Sequence, residues 1–157
     1  MGSIQFIRYE NDSSIAPDVL HVLKSVNEEF VPHLNTWVDL DAYSKKVSSK
    51  AVCWLAYDDS EVIGLAACYV NQAPDFSFWT MLAVRKEYRN RLVALQLEPL
   101  VIKYCREKGS RGILAEVDPR HADLINLHNY FGFKHISTCQ NDTGRSWVEL
   151  KLTFNED

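Results

Sequence analysis

The strongest constraint on the fold is a strand–turn–helix pattern in the middle of the chain. The apolar and aromatic run 76–84 is typical of a central strand that is buried on both faces, and a helical pattern begins at Leu92. Between these two segments lie four cations within seven residues, namely Arg85, Lys86, Arg89 and Arg91. Because helix starts present free N–H groups and guanidinium groups suit phosphate, this turn predicts an anion site.

The charge balance indicates that this anion site is a local pocket. The chain has 17 Lys and Arg residues against 21 Asp and Glu residues, for a net charge of −4. A nucleic-acid surface needs a broad basic face, so we expect no nucleic-acid partner. The length of 157 residues and a hydrophobic fraction of 46% are enough for one domain with its own core, spanning residues 1–157.

Cysteine spacing and hydropathy predict a cytoplasmic protein. Cys53, Cys68, Cys105 and Cys139 are widely spaced, with no CxxC pair and no apolar N-terminal segment typical of secretion. We therefore expect free thiols in a reducing compartment. No run approaches the ~18 apolar residues that a membrane span needs, so no membrane association is expected.

The remaining periodicity predicts alternating strands and helices. Further strands are expected at 5–9, 52–57, 61–70, 112–117, 133–138 and 147–154. Helices are expected after Pro17, from Leu40, from Leu92 to Gly109, and over 122–131. The helix–strand–helix order in the second half favours parallel pairing there and an α/β class. Exposed late strands could pair between two copies, so a homodimer is compatible with the sequence.

Two segments give the chain a family resemblance. Segment 84–94 resembles the acyl-CoA pyrophosphate loop of the GNAT acyltransferases, in which a hydrophobic strand precedes Arg/Gln-x-x-Gly-x-Gly/Ala. Arg89 takes the first position of that motif and Ala94 takes the last. Segment 127–133 resembles the late helix of the family, which ends in a Gly-Phe pair. The resemblance covers about residues 76–133 and leaves the earlier elements in the order that this fold requires.

The resemblance implies a fold and an activity. The implied fold is a mixed sheet of about six to seven strands flanked by about four helices, with the fourth and fifth strands splayed apart. The implied activity is transfer of an acetyl group from acetyl-CoA, or of another acyl group from its acyl-CoA, to a primary amine of a small molecule or a protein. No metal is expected. The residues implied to hold the acyl-CoA are Leu82, Ala83, Val84, Arg89, Asn90, Arg91, Leu92, Val93, Ala94 and His121.

Two residues are candidates for proton transfer. Glu116 ends the fifth strand near the implied splay and is the candidate general base, with a solvent-facing strand-end carboxylate as the alternative. His128 matches the position that assists the departing thiolate, and its alternative is a hydrogen-bonded packing residue. His121 is expected near the pantetheine arm or at the N-cap of its helix. A zinc site of His121, His128 and His135 is disfavoured because no carboxylate or thiol has ligand spacing.

Two departures from the family pattern favour a rival interpretation. The central glycine of the loop is replaced by Leu92, and Pro99 lies inside the helix that follows. The rival is a catalytically degenerate GNAT-fold protein that acts as a CoA-binding or interaction module. For an active enzyme, acidic and aromatic residues of the first half would form the pocket for the amine. These acceptor-pocket candidates are Glu28, Glu29, His33, Trp37, Tyr69 and Trp79.

Overall fold

The computed structural model describes residues 3–30, 33–36, 38–72, 75–142 and 144–154, without the side chains of residues 71, 72 and 90. In this part of the chain the strands are β1 (Ile4–Glu10), β2 (Val52–Asp58), β3 (Glu61–Gln72), β4 (Phe76–Val84), β5 (Gly112–Val117), β6 (Lys134–Gln140) and β7 (Ser146–Thr153). The α-helices are α1 (Ala16–Val26), α2 (Leu40–Lys50), α3 (Val93–Glu107) and α4 (Ala122–Tyr130). These elements confirm the predicted α/β order.

All seven of these strands form one mixed sheet in the order β1-β2-β3-β4-β5-β7-β6. The pairs are antiparallel except for β4 and β5, which are parallel. The predicted hairpin joins β2 to β3, and its turn contains Asp59 with a φ of 54°. A parallel pair needs a long crossover, and here that crossover is the basic turn followed by α3.

The sheet is covered on both faces. Along β2, Trp54 and Ala56 pack in one apolar cluster with α3, while Cys53 and Leu55 pack in a second cluster with α1 and α2. Successive side chains of a strand point to opposite faces, so this division places α3 on one side and α1 with α2 on the other. Partly buried residues of α4 join the cluster of α3. The sheet is thereby held rigidly between two helical layers.

The parallel strands separate halfway along their length. β4 and β5 pair from Phe76 opposite Gly112 to Trp79 opposite Ala115, and each strand then continues without the other. The separation begins at Thr80, which is the extra residue of a β-bulge. On β3 the adjacent residues Cys68 and Ala67 pair with Trp79 and Met81, so Thr80 between them has no partner in the register. A bulge bends its strand, which opens the sheet at this point.

β4 is the predicted central strand, and it contributes Trp79 and Val84 to one apolar cluster and Met81 and Ala83 to the other, but its burial is incomplete. The strand alternates between half-buried and buried residues along most of its length. The half-buried residues Phe78, Thr80 and Leu82 lie on the wall of the cleft that the separation creates. The apolar character of the strand therefore serves both the core and the cleft.

Two further expectations concern the cysteines and the length of the helices. All four cysteines are free thiols, and three of them are buried. No helix in the described ranges combines the length and hydropathy that a membrane span requires.

Candidate functional site

A cleft of about 630 Å³ lies where β4 and β5 separate. Its walls include residues of the basic turn and the start of α3, and also the last residues of β5 and the first residue of β7. The lining includes these residues proposed from sequence: Leu82, Ala83, Val84, Arg89, Leu92, Ala94, Glu116, His121 and His128. Arg91 and Val93 are not part of the lining, and the side chain of Asn90 lies outside the described residues.

The four cations of the basic turn do not act together. Arg85 pairs with Glu61 and Glu87 and donates to the carbonyl oxygen of Val62, so it connects the turn to β3. Arg91 lies with Nη1 3.6 Å from Oδ2 of Asp58 at the hairpin. Within the described part of the basic turn, Arg89 is the cation on the cleft wall. Position in the fold, and not charge density, therefore determines which of these cations faces the cleft.

Arg89 is fixed by two contacts at the mouth of the cleft. Its Nε donates to the carbonyl oxygen of Val84 over 3.0 Å, and Nη2 lies 2.5 Å from Oε1 of Glu29. Glu29 belongs to a short 3-10 turn after α1 that also lines the cleft. Arg89 thus connects the end of β4 with the 3-10 turn that follows α1.

Leu92 has a backbone conformation that favours glycine. Its φ and ψ are 56° and 32°, in the left-handed region, and this bend turns the chain from the basic turn into α3. Residues other than glycine rarely adopt this conformation because Cβ approaches the following carbonyl oxygen. The side chain is 61% exposed, so it lies at the rim of the cleft and not across it.

The start of α3 offers hydrogen-bond donors to the cleft. Leu92 makes no side-chain cap, and the first intrahelical bond runs from the Gln96 N–H to the Leu92 carbonyl oxygen over 3.2 Å. The N–H groups before Gln96 have no intrahelical acceptor by the geometry of a helix. Val93 is buried against the sheet, so this residue can offer only its backbone N–H.

The edge of β4 offers a second row of donors and acceptors. The Arg85 N–H donates to Ile63 on β3 over 2.9 Å. Because backbone groups of alternate residues point to opposite sides of an antiparallel strand, those of Leu82 and Val84 point to the cleft. The Val84 carbonyl oxygen accepts from Arg89, which fits this direction.

Glu116 lines the cleft and is set opposite a second carboxylate. It pairs in register with Glu149 of β7, and its Oε1 lies 3.7 Å from Nη2 of Arg145. Burial raises the pKa of Glu116, the Arg145 guanidinium opposes this rise, and the Glu149 carboxylate adds to it. The side chain remains 33% exposed. It is therefore an accessible carboxyl group with an increased proton affinity.

His128 is held inside the wall of the cleft by a partner that the sequence did not indicate. Its Nδ1 lies 2.7 Å from Oε1 of Glu98, and the two residues are 2% and 0% exposed. The ring also meets Trp79 edge-on at a centroid distance of 4.9 Å and Phe133 at a tilt at 4.8 Å. His128 thus is a buried hydrogen-bonded residue and a cleft residue at once.

His121 connects the start of α4 to the segment that contains Glu29 and Phe30. Its Nε2 lies 2.9 Å from the carbonyl oxygen of Glu29, and its ring meets Phe30 edge-on at 5.5 Å. His121 lies at the N-cap position of α4, as one of the two alternatives expected, but its side chain makes no capping bond. The described chain also contains no group of three or more His, Cys, Asp or Glu residues that could hold a metal ion.

The cleft lining differs from the acceptor-pocket set proposed from sequence. Of that set, Glu29 and Trp79 line the cleft, Glu28, His33 and Tyr69 do not, and Trp37 lies outside the described residues. Tyr43, which was not in that set, also lines the cleft, with its hydroxyl 2.7 Å from Oγ1 of Thr80. Burial raises the pKa of Tyr43. The cleft residues that sequence reasoning missed include Phe30, Tyr43, Thr80, Arg145 and Ser146.

The fold and the cleft together define a class of protein. A mixed sheet that opens between two parallel strands, with a basic turn and a helix start at the opening, is the GNAT fold. The chain belongs to the acetyltransferase (GNAT) family, which its sequence matches over residues 17–133. No curated protein sequence matches the chain.

Solved structures share this fold over nearly the whole chain. The ribosomal-protein-S18-alanine N-acetyltransferase of Escherichia coli has a TM-score of 0.77 at 14% identity, covering 98% of this chain and 96% of its own. NAA60 of Arabidopsis thaliana in complex with acetyl-CoA has a TM-score of 0.75 at 18% identity, with coverages of 98% and 100%. An N-acetyltransferase of Staphylococcus aureus has a TM-score of 0.77 at 14% identity, with coverages of 97% and 98%. At these identities the likeness shows the fold alone.

Proposed function

We propose that this protein is an N-acetyltransferase that moves the acetyl group of acetyl-CoA to a primary amine of a small molecule or a protein. The observation that supports this most is the separation of β4 from β5 after Trp79. It leaves the backbone groups of Leu82 and Val84 directed into a cleft that extends from the start of α3 to Glu116. This cleft therefore combines hydrogen-bond donors with the carboxyl group of Glu116.

The chain offers complementary groups for each part of acetyl-CoA. The diphosphate is assigned to the first N–H groups of α3 and to the Arg89 guanidinium, since both favour anions. The pantetheine arm is assigned to the open edge of β4, where its amides can bond with Leu82 and Val84 as a further strand would. Ala94 in the first turn of α3 leaves room for close approach. His121 borders the cleft beside this path.

Glu116 is assigned as the general base. The amine nitrogen forms a bond to the acetyl carbon, and the proton that the nitrogen loses goes to the Glu116 carboxylate, directly or through one water. A raised pKa makes this carboxylate a stronger base than an ordinary glutamate, while a third of its side chain remains open to exchange with solvent.

His128 is assigned as the proton donor to the leaving group. As the bond between carbon and sulfur breaks, sulfur takes the proton from His128 Nε2, and the products are the N-acetylated amine and free CoA. Nδ1 cannot serve because it faces Glu98. The amine has then lost one proton to Glu116, the thiolate has gained one from His128, and solvent restores both residues.

A transfer assay tests this proposal. Protein, acetyl-CoA and a panel of amino acids, polyamines and peptides with free N-termini are incubated, and acetylated products are measured by mass spectrometry. We expect acetylation of at least one amine, and a rate lower by about 10²-fold or more in Glu116→Gln, because proton transfer contributes on this scale. Acetyl-CoA affinity should be unchanged.

The control is Glu107→Gln, which alters an exposed carboxylate at the end of α3. It should retain the wild-type rate. A Glu116→Gln protein that also acetylates at the wild-type rate would remove the assignment of the base.

The second candidate function is a CoA-binding or interaction module without catalysis. Leu92 favours it, because a leucine is strained in the left-handed conformation that the loop requires. Saturable binding of acetyl-CoA with no acetylation of any amine in the panel would support the module and contradict the enzyme.

A further inference from the structure

Glu98 and His128 form a buried pair between α3 and α4. Glu98 is 0% exposed and lies on the face of α3 that contacts the sheet, next to Leu97. Its Oε1 is 2.7 Å from Nδ1 of His128, which comes from a helix 30 residues further along the chain. A glutamate is among the residues most rarely found fully buried, so its presence at this position needs a physical reason.

Stability does not supply that reason. The second carboxyl oxygen of Glu98, Oε2, is buried and has no hydrogen-bond partner among the described residues. Burying a carboxylate costs free energy, and an oxygen left without a partner adds to this cost. Buried ion pairs can often be replaced by apolar residues with no loss of stability. Apolar residues in place of both members of the pair would therefore suit the core at least as well.

The pair does determine how the His128 ring is presented. Trp79 and Phe133 contact the ring, and Glu98 holds Nδ1, so the orientation of the ring is fixed from three directions. Nε2 is the ring nitrogen without a hydrogen-bond partner in the described chain. Trp79 is also the last residue of β4 that pairs with β5, so the ring lies where the strands separate.

We propose that Glu98 is a positioning residue for acetyl transfer, which holds the imidazolium of His128 so that Nε2–H points to the departing sulfur. The inference rests on the proposed function. The Glu98 carboxylate accepts the Nδ1–H bond throughout. When the bond between the acetyl carbon and sulfur breaks, the Nε2 proton moves to sulfur and His128 becomes neutral with its remaining proton on Nδ1. Solvent then returns a proton to Nε2.

The first test is Glu98→Gln, which keeps the size of the side chain and removes its charge. A neutral amide accepts the Nδ1–H bond more weakly than a carboxylate does, so the ring is held less firmly and we expect kcat to fall by about 10²-fold. The KM for acetyl-CoA should stay within about twofold, since Glu98 does not line the cleft. Glu107→Gln, on the same helix but exposed, is the matched control and should leave both constants unchanged. Equal kcat values in the two variants would overturn the proposal.

The second test needs no turnover. Nitrogen-15 NMR of the histidine rings in the wild-type protein, with His128 assigned from the spectrum of His128→Gln, reports which ring nitrogen is protonated. The proposal expects a proton on Nδ1, and a bare Nδ1 would overturn it. If the wild type acetylates no amine, the proposed function fails, and this spectrum still decides whether the Glu98 carboxylate holds the Nδ1 proton.

Discussion

At the scale of single residues, the pKa of Glu116 depends on its burial and on the charged groups beside it. Glu116 faces Glu149 in the register of β5 and β7, and like charges directly opposite each other on a sheet destabilise both ionised forms. The Glu149 carboxylate accepts hydrogen bonds from Ser137 and Cys139, which lower its pKa, so Glu116 takes up the proton first. Arg145 then limits the rise of the Glu116 pKa.

The pH dependence of kcat/KM for the amine should report these two influences. A raised pKa means that Glu116 is protonated, and lost as a base, at a higher pH than an ordinary glutamate. Activity therefore falls as the pH is lowered through that pKa. Arg145→Met removes a cation that favours the carboxylate, so its loss of activity should begin at higher pH than in the wild type. Glu149→Gln removes a competing carboxylate, so its loss should begin at lower pH.

Titration of the amine itself is common to all three proteins and cancels in the comparison. Shifts of the same sign in both variants, or none in either, would show that Glu116 does not control this part of the profile.

At the level of elements, the junction between the basic turn and α3 has several functions at once. Arg85 and Arg91 attach the turn to β3 and to the β2–β3 hairpin, Arg89 faces the cleft, and Leu92 makes the bend that starts the helix. α3 then continues through Pro99 to Glu107. Proline has no N–H, so the carbonyl oxygen four residues earlier in α3 lacks its usual hydrogen-bond donor. Pro99 lies on the exposed side of the helix, so water can hydrate that oxygen.

Leu92→Gly tests whether the bend is strained. The left-handed conformation costs a leucine about 1–2 kcal/mol, and glycine removes this cost while adding about 0.5–1 kcal/mol of chain entropy to the unfolded state. We expect the free energy of unfolding to rise by up to about 1 kcal/mol and acetyl-CoA to bind more tightly. Chemical denaturation and calorimetric titration measure the two quantities.

The matched control is Leu100→Gly, an exposed leucine within α3. Here the backbone is helical, so glycine should lower the free energy of unfolding by about 1 kcal/mol. If both variants lose stability equally, the strain at Leu92 is not significant.

At the scale of the whole molecule, the parts that the sequence could predict are those governed by local periodicity. β5 at 112–117 and the hairpin around Asp59 follow from apolar runs and turn residues, which need no knowledge of distant contacts. The cleft is different, because residues from α2, β4, α3 and the start of β7 meet there only through tertiary packing. Glu98 has no sequence signal other than a charge within an apolar stretch.

The basic turn illustrates the same limit within a single segment. Arg85, Arg89 and Arg91 are equivalent in charge and lie within seven residues. Which of them faces the cleft depends on how the 3-10 turn Lys86–Arg91 rotates each side chain and on the acidic partners nearby. Resemblance to a motif indicated the segment, and packing determines which of its residues line the cleft.

The most direct test of the central claim is thermal unfolding with acetyl-CoA, with ATP as a ligand that shares the adenosine and phosphates but lacks the pantetheine arm. A ligand that binds only the folded state at 100 times its Kd stabilises that state by about 2.7 kcal/mol, or roughly 5–10 °C in Tm for a chain of this size. We predict such a rise with acetyl-CoA, a much smaller one with ATP, and a reduced rise in Arg89→Ala but not in Arg91→Ala. No rise at millimolar acetyl-CoA, or an equal rise with ATP, would contradict binding in the cleft between β4 and β5.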